Sequence, residues 1–178
     1  MNAKTDALEL LVLEGDGIGA EITAATLDVL RAADTKFSLG LSFPKADIGW
    51  TAHRAGGTTF PDAVEVKARA AAGVLLGPVS HNDYPPRAEG GLNPSGELRK
   101  RLDLYANIRP ALSRPGFPPR CGKPVDLVIV RENTEGFYAD RTMFAGTGEF
   151  MPTPDLAMAM RKITRHGSTR IIEAACKL

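Results

Sequence analysis

The stretch Leu8-Glu9-Leu10-Leu11-Val12-Leu13-Glu14-Gly15-Asp16-Gly17-Ile18-Gly19 (8–19) carries an apolar run into a glycine turn. The run Leu8 to Leu13 reads as a buried strand, because a short apolar segment that stops at glycine fits a sheet interior. Beyond the turn, Ile22, Ala25, Val29 and Ala33 recur at helical spacing, with Glu21, Asp28 and Arg31 toward the other face. Strand, glycine turn and amphipathic helix together are the opening unit of an α/β sheet. The pattern continues outward. Phe37 to Phe43 alternates at the period of a half-buried strand. Pro61 to Ala72 starts with proline and runs through helix formers, and Val74 to Leu76 is a further strand ending at glycine. The order β, α, β, α, β points to an α/β sheet with helical crossovers.

After Gly77 the texture changes. Pro78 to Gly91 is a long loop rich in proline and glycine, followed by a short helix over Ser95 to Leu102 with Asn93 or Ser95 as its cap. Leu104 to Ala111 reads as extended, Leu112 to Pro124 as a Pro-rich loop, and Val125 to Val130 as a buried strand. Met158 to Thr164 is strand-like, and Ser168 or Thr169 is expected to cap a last helix with Ile171, Ile172, Ala175 and Cys176 on its apolar side. That helix stops without Gly, Asn or Pro, so the expectation is of a chain cut off in mid-fold.

The chain has 178 residues, is 43% hydrophobic and 24% charged, and carries 22 Lys and Arg against 21 Asp and Glu. This is ordinary globular composition, with no general pull toward nucleic acid or a membrane. Two cysteines, Cys121 and Cys176, are too few for a disulfide framework and fit a reducing compartment. No apolar run approaches a membrane span, and MNAKTDALELL lacks the uncharged core of a signal peptide, so a cytoplasmic location is expected.

The turn Gly15 to Gly19 has the place of a phosphate-binding loop, and Asp34 sits near the distance of a ribose-binding acid. Its spacing is GxGxG rather than GxGxxG, however, and Glu14 and Asp16 would repel a pyrophosphate. A tight strand-to-helix turn is the better reading. The arginines carry more information. Arg99 and Arg101 lie on the short helix, Arg109 ends DLYANIRP apart from its proline, and Arg131 ends the strand VDLVIV. Guanidinium groups gathered in one cleft would suit a small substrate with two or three carboxylates; the other reading pairs each with a local acid such as Asp103 or Glu132. Tyr138, beyond the polar run Arg131 to Gly136, could donate a proton if cations lowered its pKa, or could serve in the core. His53, His81 and His166 lack metal-ligand spacing, so no metal ligand is assigned.

Together LEGDGIGAEI (13–22), GVLLGPV (73–79), LRKRLDLYANIRPA (98–111) and VDLVIVRENTEGFY (125–138) resemble the β-decarboxylating hydroxyacid dehydrogenases, the isocitrate, isopropylmalate, homoisocitrate and tartrate enzymes. Weaker similarity runs through ITRHGSTRIIEAA (163–175). The resemblance implies the N-terminal half of an isopropylmalate dehydrogenase-like α/β fold, a parallel or mixed sheet flanked by helices and incomplete. Residues 1–100 would start the large domain and 101–178 the smaller dimerisation and substrate domain. It further implies NAD or NADP and Mg²⁺ or Mn²⁺ as cofactors, oxidative decarboxylation of a small polycarboxylate 2-hydroxy acid, and a homodimer. Arg99, Arg109 and Arg131 would hold substrate carboxylates and Tyr138 would protonate the enolate; Ile18 and Val79 would touch the cofactor. Leu92 to Leu98 would set the substrate. Leu92 stands where isopropylmalate enzymes tend to carry glutamate, and Asn93 with Ser95 suits a polar substrate tail. Family members are about twice as long as this chain. Their metal-binding aspartates and catalytic lysine fall beyond its end, so the chain alone is expected to be inactive. A short protein that binds a polycarboxylate or a full-length subunit without catalysis is the other expectation.

Overall fold

The computed structural model describes residues 7–136 and 148–178, in two compact units divided after Leu102. In the first unit, β1 (Leu8–Leu13), β2 (Leu41–Ser42) and β3 (Gly73–Leu76) form a parallel sheet of order β2-β1-β3. Leu10 to Leu13 run in register with Gly73 to Leu76, and Leu8 stands opposite Leu41. Helix α1 (Gly19–Phe37) connects β1 to β2, while α2 (Gly49–Gly56) and α3 (Asp62–Ala70) lie between β2 and β3. A single helical turn at Arg87–Glu89 precedes α4 (Pro94–Arg101).

The core follows from the period of β1. Leu11 and Leu13 pack with Ile48, Phe60, Val64 and Ala68 of α3, and Leu98 of α4. Val12 points to the opposite face and is also fully buried, so both faces of the strand are covered, as a parallel sheet requires. The turn after β1 is set by backbone approach. Gly15 has a φ of +78°, and a Cβ there would overlap the carbonyl oxygen of Pro78. Asp16 N donates to that same carbonyl at 2.8 Å, which ties this turn to the loop after β3.

In the second unit, β4 (Ala106–Leu112) and β5 (Asp126–Glu132) pair antiparallel from Ala106 opposite Glu132 to Leu112 opposite Asp126. A second antiparallel pair joins β6 (Glu149–Thr153) to β7 (Leu156–Ala159), and α5 (Arg165–Cys176) follows. Thr164 caps α5. Its hydroxyl accepts from Gly167 N at 3.0 Å, while its own N and Oγ1 donate to Glu135 at 2.8 and 2.6 Å. Arg170 of α5 binds Asp103 at 2.7 Å, donates to Thr134 Oγ1 at 2.8 Å, and lies over the Tyr105 ring.

The α/β class and the parallel sheet flanked by helices agree with the expectation, but several boundaries do not. The alternating stretch Phe37 to Phe43 is mostly not a strand. Helix α1 runs on to Phe37, Ser38 turns left-handed with a φ of 53°, and only Leu41–Ser42 pairs. The Asp34 Oδ1 accepts from Leu41 N at 3.2 Å, so this acid helps to place β2. Helix α2 escapes prediction because Thr51, His53 and its two flanking glycines break any apolar period. The strand expected buried at Val125 to Val130 is exposed, with Val128 at 50% and Ile129 at 54%. The last helix is capped by Thr164, one turn earlier than Ser168 or Thr169, and Ile172 on its expected apolar side is exposed.

Candidate functional site

The selected residues fall into two groups, one in each unit. In the first unit, α4 carries Ser95 and Arg99 four residues apart, hence on one face. Asn93 is the cap: its Oδ1 accepts from Gly96 N at 3.1 Å, and Pro94 fills the first helical position. Glu97 and Arg101, also four apart, occupy the opposite face. Glu97 is 5% exposed and receives Arg101 Nε at 2.8 Å and Arg87 at 3.0 Å. Burial alone would raise the Glu97 carboxyl, yet the hydrogen bonds from Arg101 and Arg87 hold it below the ordinary carboxylate range. Arg101 also binds Asp62 at 2.7 Å and Glu65 at 3.2 Å, and lies over the Phe60 ring. Arg101 thereby anchors α4 to α3, while Arg99 stands on the Ser95 face of the helix.

Leu92 is half-buried and packs against the apolar core, which anchors this segment. Ile18, at the exposed tip of the glycine turn, is 60% exposed, whereas Val79 packs against the core. Their two loops are joined through Asp16. Its carboxylate accepts from Trp50 N at 2.8 Å, from Ser80 N at 3.0 Å, and from the Tyr84 hydroxyl. Burial, then the hydrogen bond to Asp16, push the Tyr84 phenol well above its ordinary value. Gly49, with φ +65°, allows this approach, because a Cβ there would strike the Asp16 carboxylate. Glu14 pairs with Lys45. Gly15 and Gly19 thus make room for the backbone of Pro78 and Glu14, as a tight strand-to-helix turn needs. Among the described residues, no group of three or more His, Cys, Asp or Glu is placed to hold a metal ion.

In the second unit the hairpin register decides the geometry. Arg131 stands opposite Asn107, and Arg109 opposite Ile129. Directly opposed residues share a face, and so do residues two apart, so Asn107, Arg109 and Arg131 lie together on one side. Asn107 Oδ1 accepts from Arg109 Nε at 3.0 Å. Arg131 also borders a cavity of ≈ 470 Å³ with Glu132, Glu135, Arg161, Lys162 and Ser168. The two glutamates there serve the backbone. Burial works to raise Glu132, but the Thr134 hydroxyl and the amides of Glu135, Thr134 and Asn133 bring it below the usual range. Neither local acid weighed for the arginines is spent on Arg109 in this way: Asp103 binds Arg170, and Glu132 holds the loop that follows it. Tyr138 lies outside the described residues. Asn107 was missed in the sequence, although its two-residue offset from Arg109 within an extended segment places both on one face.

A family model described as isocitrate/isopropylmalate dehydrogenase matches residues 9–178. This chain belongs to that family. It is 38% identical over 173 residues to an isocitrate/homoisocitrate dehydrogenase of Thermus thermophilus, covering 97% of this chain and 47% of that protein. It is 36% identical over 170 residues to a 3-isopropylmalate dehydrogenase of Methanothermobacter thermautotrophicus, covering 95% of this chain and 45% of that one. The crystal structure of isocitrate dehydrogenase from Methylococcus capsulatus superposes with a TM-score of 0.70 at 33% identity, covering 93% of this chain and 45% of that chain. The isocitrate/isopropylmalate dehydrogenase fold and oxidoreductase family are thus established for a chain that spans about half the length of these relatives.

Proposed function

We propose that this chain carries the carboxylate-binding part of an enzyme that oxidises and decarboxylates a 2-hydroxy acid bearing a β-carboxylate. The observation that carries the reading is the shared face of Arg109 and Arg131, aligned by the hairpin register with Asn107 between them. Two forked guanidinium groups on neighbouring strands can grip carboxylates in bidentate fashion and orient the acid between them. Within the first unit, Arg99 on the Ser95 face of α4 is assigned a carboxylate-binding role, and Asn93 and Ser95 a role in choosing the substrate tail. Tyr138 is assigned the proton delivered to the enolate.

NAD or NADP and Mg²⁺ or Mn²⁺ belong to the proposal as requirements of the whole reaction. The share assigned to the described residues is binding and orientation of the acid, through the arginines of the hairpin face. Ile18 is the stronger and Val79 the weaker candidate for cofactor contact. A homodimer and a cytoplasmic location complete the reading. The exposed, free thiols of Cys121 and Cys176 support a reducing compartment.

Calorimetric titration of the 178-residue chain with isocitrate and with 3-isopropylmalate tests this. Saturable binding is expected, weakened about tenfold or more by Arg131→Gln and by Arg109→Gln, a loss of about 1.4 kcal/mol for each tenfold step. Arg131→Lys should rescue little, since an ammonium cannot reproduce the guanidinium fork. Equal affinity in all four proteins would overturn the assignment. The chain by itself is expected to bind without turnover. Reduction of NAD or NADP by the purified chain with either acid and Mg²⁺ would contradict that.

A further inference from the structure

Thr59, between α2 and α3, is fully buried and makes an unusual set of contacts for a threonine. Its Oγ1 accepts from Leu92 N at 2.7 Å and donates to Leu92 O at 2.6 Å. Its backbone N donates to Gly90 O at 3.0 Å, and its own carbonyl accepts from Gly49 N at 2.8 Å. One side chain thus satisfies both main-chain polar groups of a residue 33 positions away. Leu92 is the last residue of the long loop before the α4 cap, and its side chain is seated against the core. Held at both backbone and side chain, it fixes where α4 can begin.

We propose that Thr59 is a positioning residue for substrate choice: its hydroxyl sets the placement of Leu92 and, through it, the presentation of Asn93 and Ser95. The inference rests on the reading that Asn93 and Ser95 face the substrate tail. The coupling is short. Asn93 follows Leu92 directly, and its side chain closes the first turn of α4 on Gly96 N. Valine in place of Thr59 keeps the shape but takes the hydroxyl from the Leu92 C=O and leaves the Leu92 N–H with only the longer bond to Gly90 O at 3.1 Å. A half-buried carbonyl that loses its donor, next to an N–H held by one remaining bond, costs free energy that a shift of the segment can recover. Any such movement passes first to the α4 cap and to Ser95, two residues further on.

The test compares the dissociation constants of isocitrate and 3-isopropylmalate for the full chain and its Thr59→Val and Thr59→Ser variants. Each is assayed well below its own melting midpoint. The ratio of the two constants should shift at least threefold in Thr59→Val and return to the parent value in Thr59→Ser, which keeps the hydroxyl. Thr59→Ala, which also lacks the hydroxyl but cannot crowd the site, takes the place of Thr59→Val if that variant does not fold. A merely structural role would lower stability and leave the ratio alone. An unchanged ratio in a folded hydroxyl-free variant, or a shifted ratio in Thr59→Ser, would overturn the inference while leaving the hydroxy-acid reading intact. Binding of neither acid by the parent chain would overturn both.

Discussion

Asp16 accepts hydrogen bonds from the start of α2, from the loop after β3 and from Tyr84, so its carboxylate ties three segments of the first unit together. Replacing it with alanine leaves two backbone N–H groups and a half-buried phenol without this acceptor, at a cost of about 3 kcal/mol. Thermal unfolding of Asp16→Ala checks this, and the emission of Trp50, the chain's one tryptophan, reports the loosening beside Tyr84 directly. A melting midpoint within a degree of the parent would mean the three bonds contribute nothing net. The sequence makes Asp16 legible as a charge that disfavours a pyrophosphate at this turn, but not as a clasp. Its partners Trp50, Ser80 and Tyr84 lie 34, 64 and 68 residues away, and no local pattern encodes such distances. Arg109 with Asn107 is the opposite case, because an offset of two within a strand is a local rule. The hairpin register that sets Arg131 beside them is not local, and required the structure.

The same distinction holds for whole elements. Strand β1, the glycine turn, α3, β3 and α4 were legible because apolar period, proline and capping asparagine all agree over a few residues. The Phe37–Phe43 alternation failed because α1 outlasts its apolar stripe and ends only when Ser38 turns left-handed. The cap of α5 was misplaced because Thr164 is chosen through Glu135, 29 residues earlier. Thr164→Ala should cost about 1 kcal/mol for the lost cap, readable by chemical denaturation; Thr164→Ser should recover most of it. Helix α4 carries a pH signature. Glu97 has a lowered folded-state pKa, so it contributes stability above the ordinary glutamate value of about 4.3, and that contribution disappears as the pH falls through the folded value. Melting midpoints measured from pH about 6 down to about 3 should therefore fall more steeply for the parent than for Glu97→Gln. Parallel slopes would show that the Arg87 and Arg101 pairs do not favour the ionised form.

For the molecule as a whole, the outer surfaces of the second unit bear on association. Phe150, Met151, Leu156 and Met158 are all at least 48% exposed on the two-stranded β6–β7 pair. A lone two-stranded hairpin is marginal in water, and apolar side chains spread over one favour association. A second copy of the chain is the proposed occupant, and sedimentation velocity should find a species near twice 19.0 kDa at micromolar concentration. Phe150→Lys should shift the population toward 19.0 kDa, and a parent that remains at that mass throughout would remove the homodimer from the account. The central claim concerns ligand, however, and is tested most directly by following the backbone amides of the chain by NMR as isocitrate is added. Saturable shifts should concentrate at Asn107, Arg109, Ile129 and Arg131 on the hairpin face, and at Ser95 and Arg99 on α4. Shifts scattered over surface lysines with no saturation, or none at all, would contradict the claim that this face holds a hydroxy acid by its carboxylates.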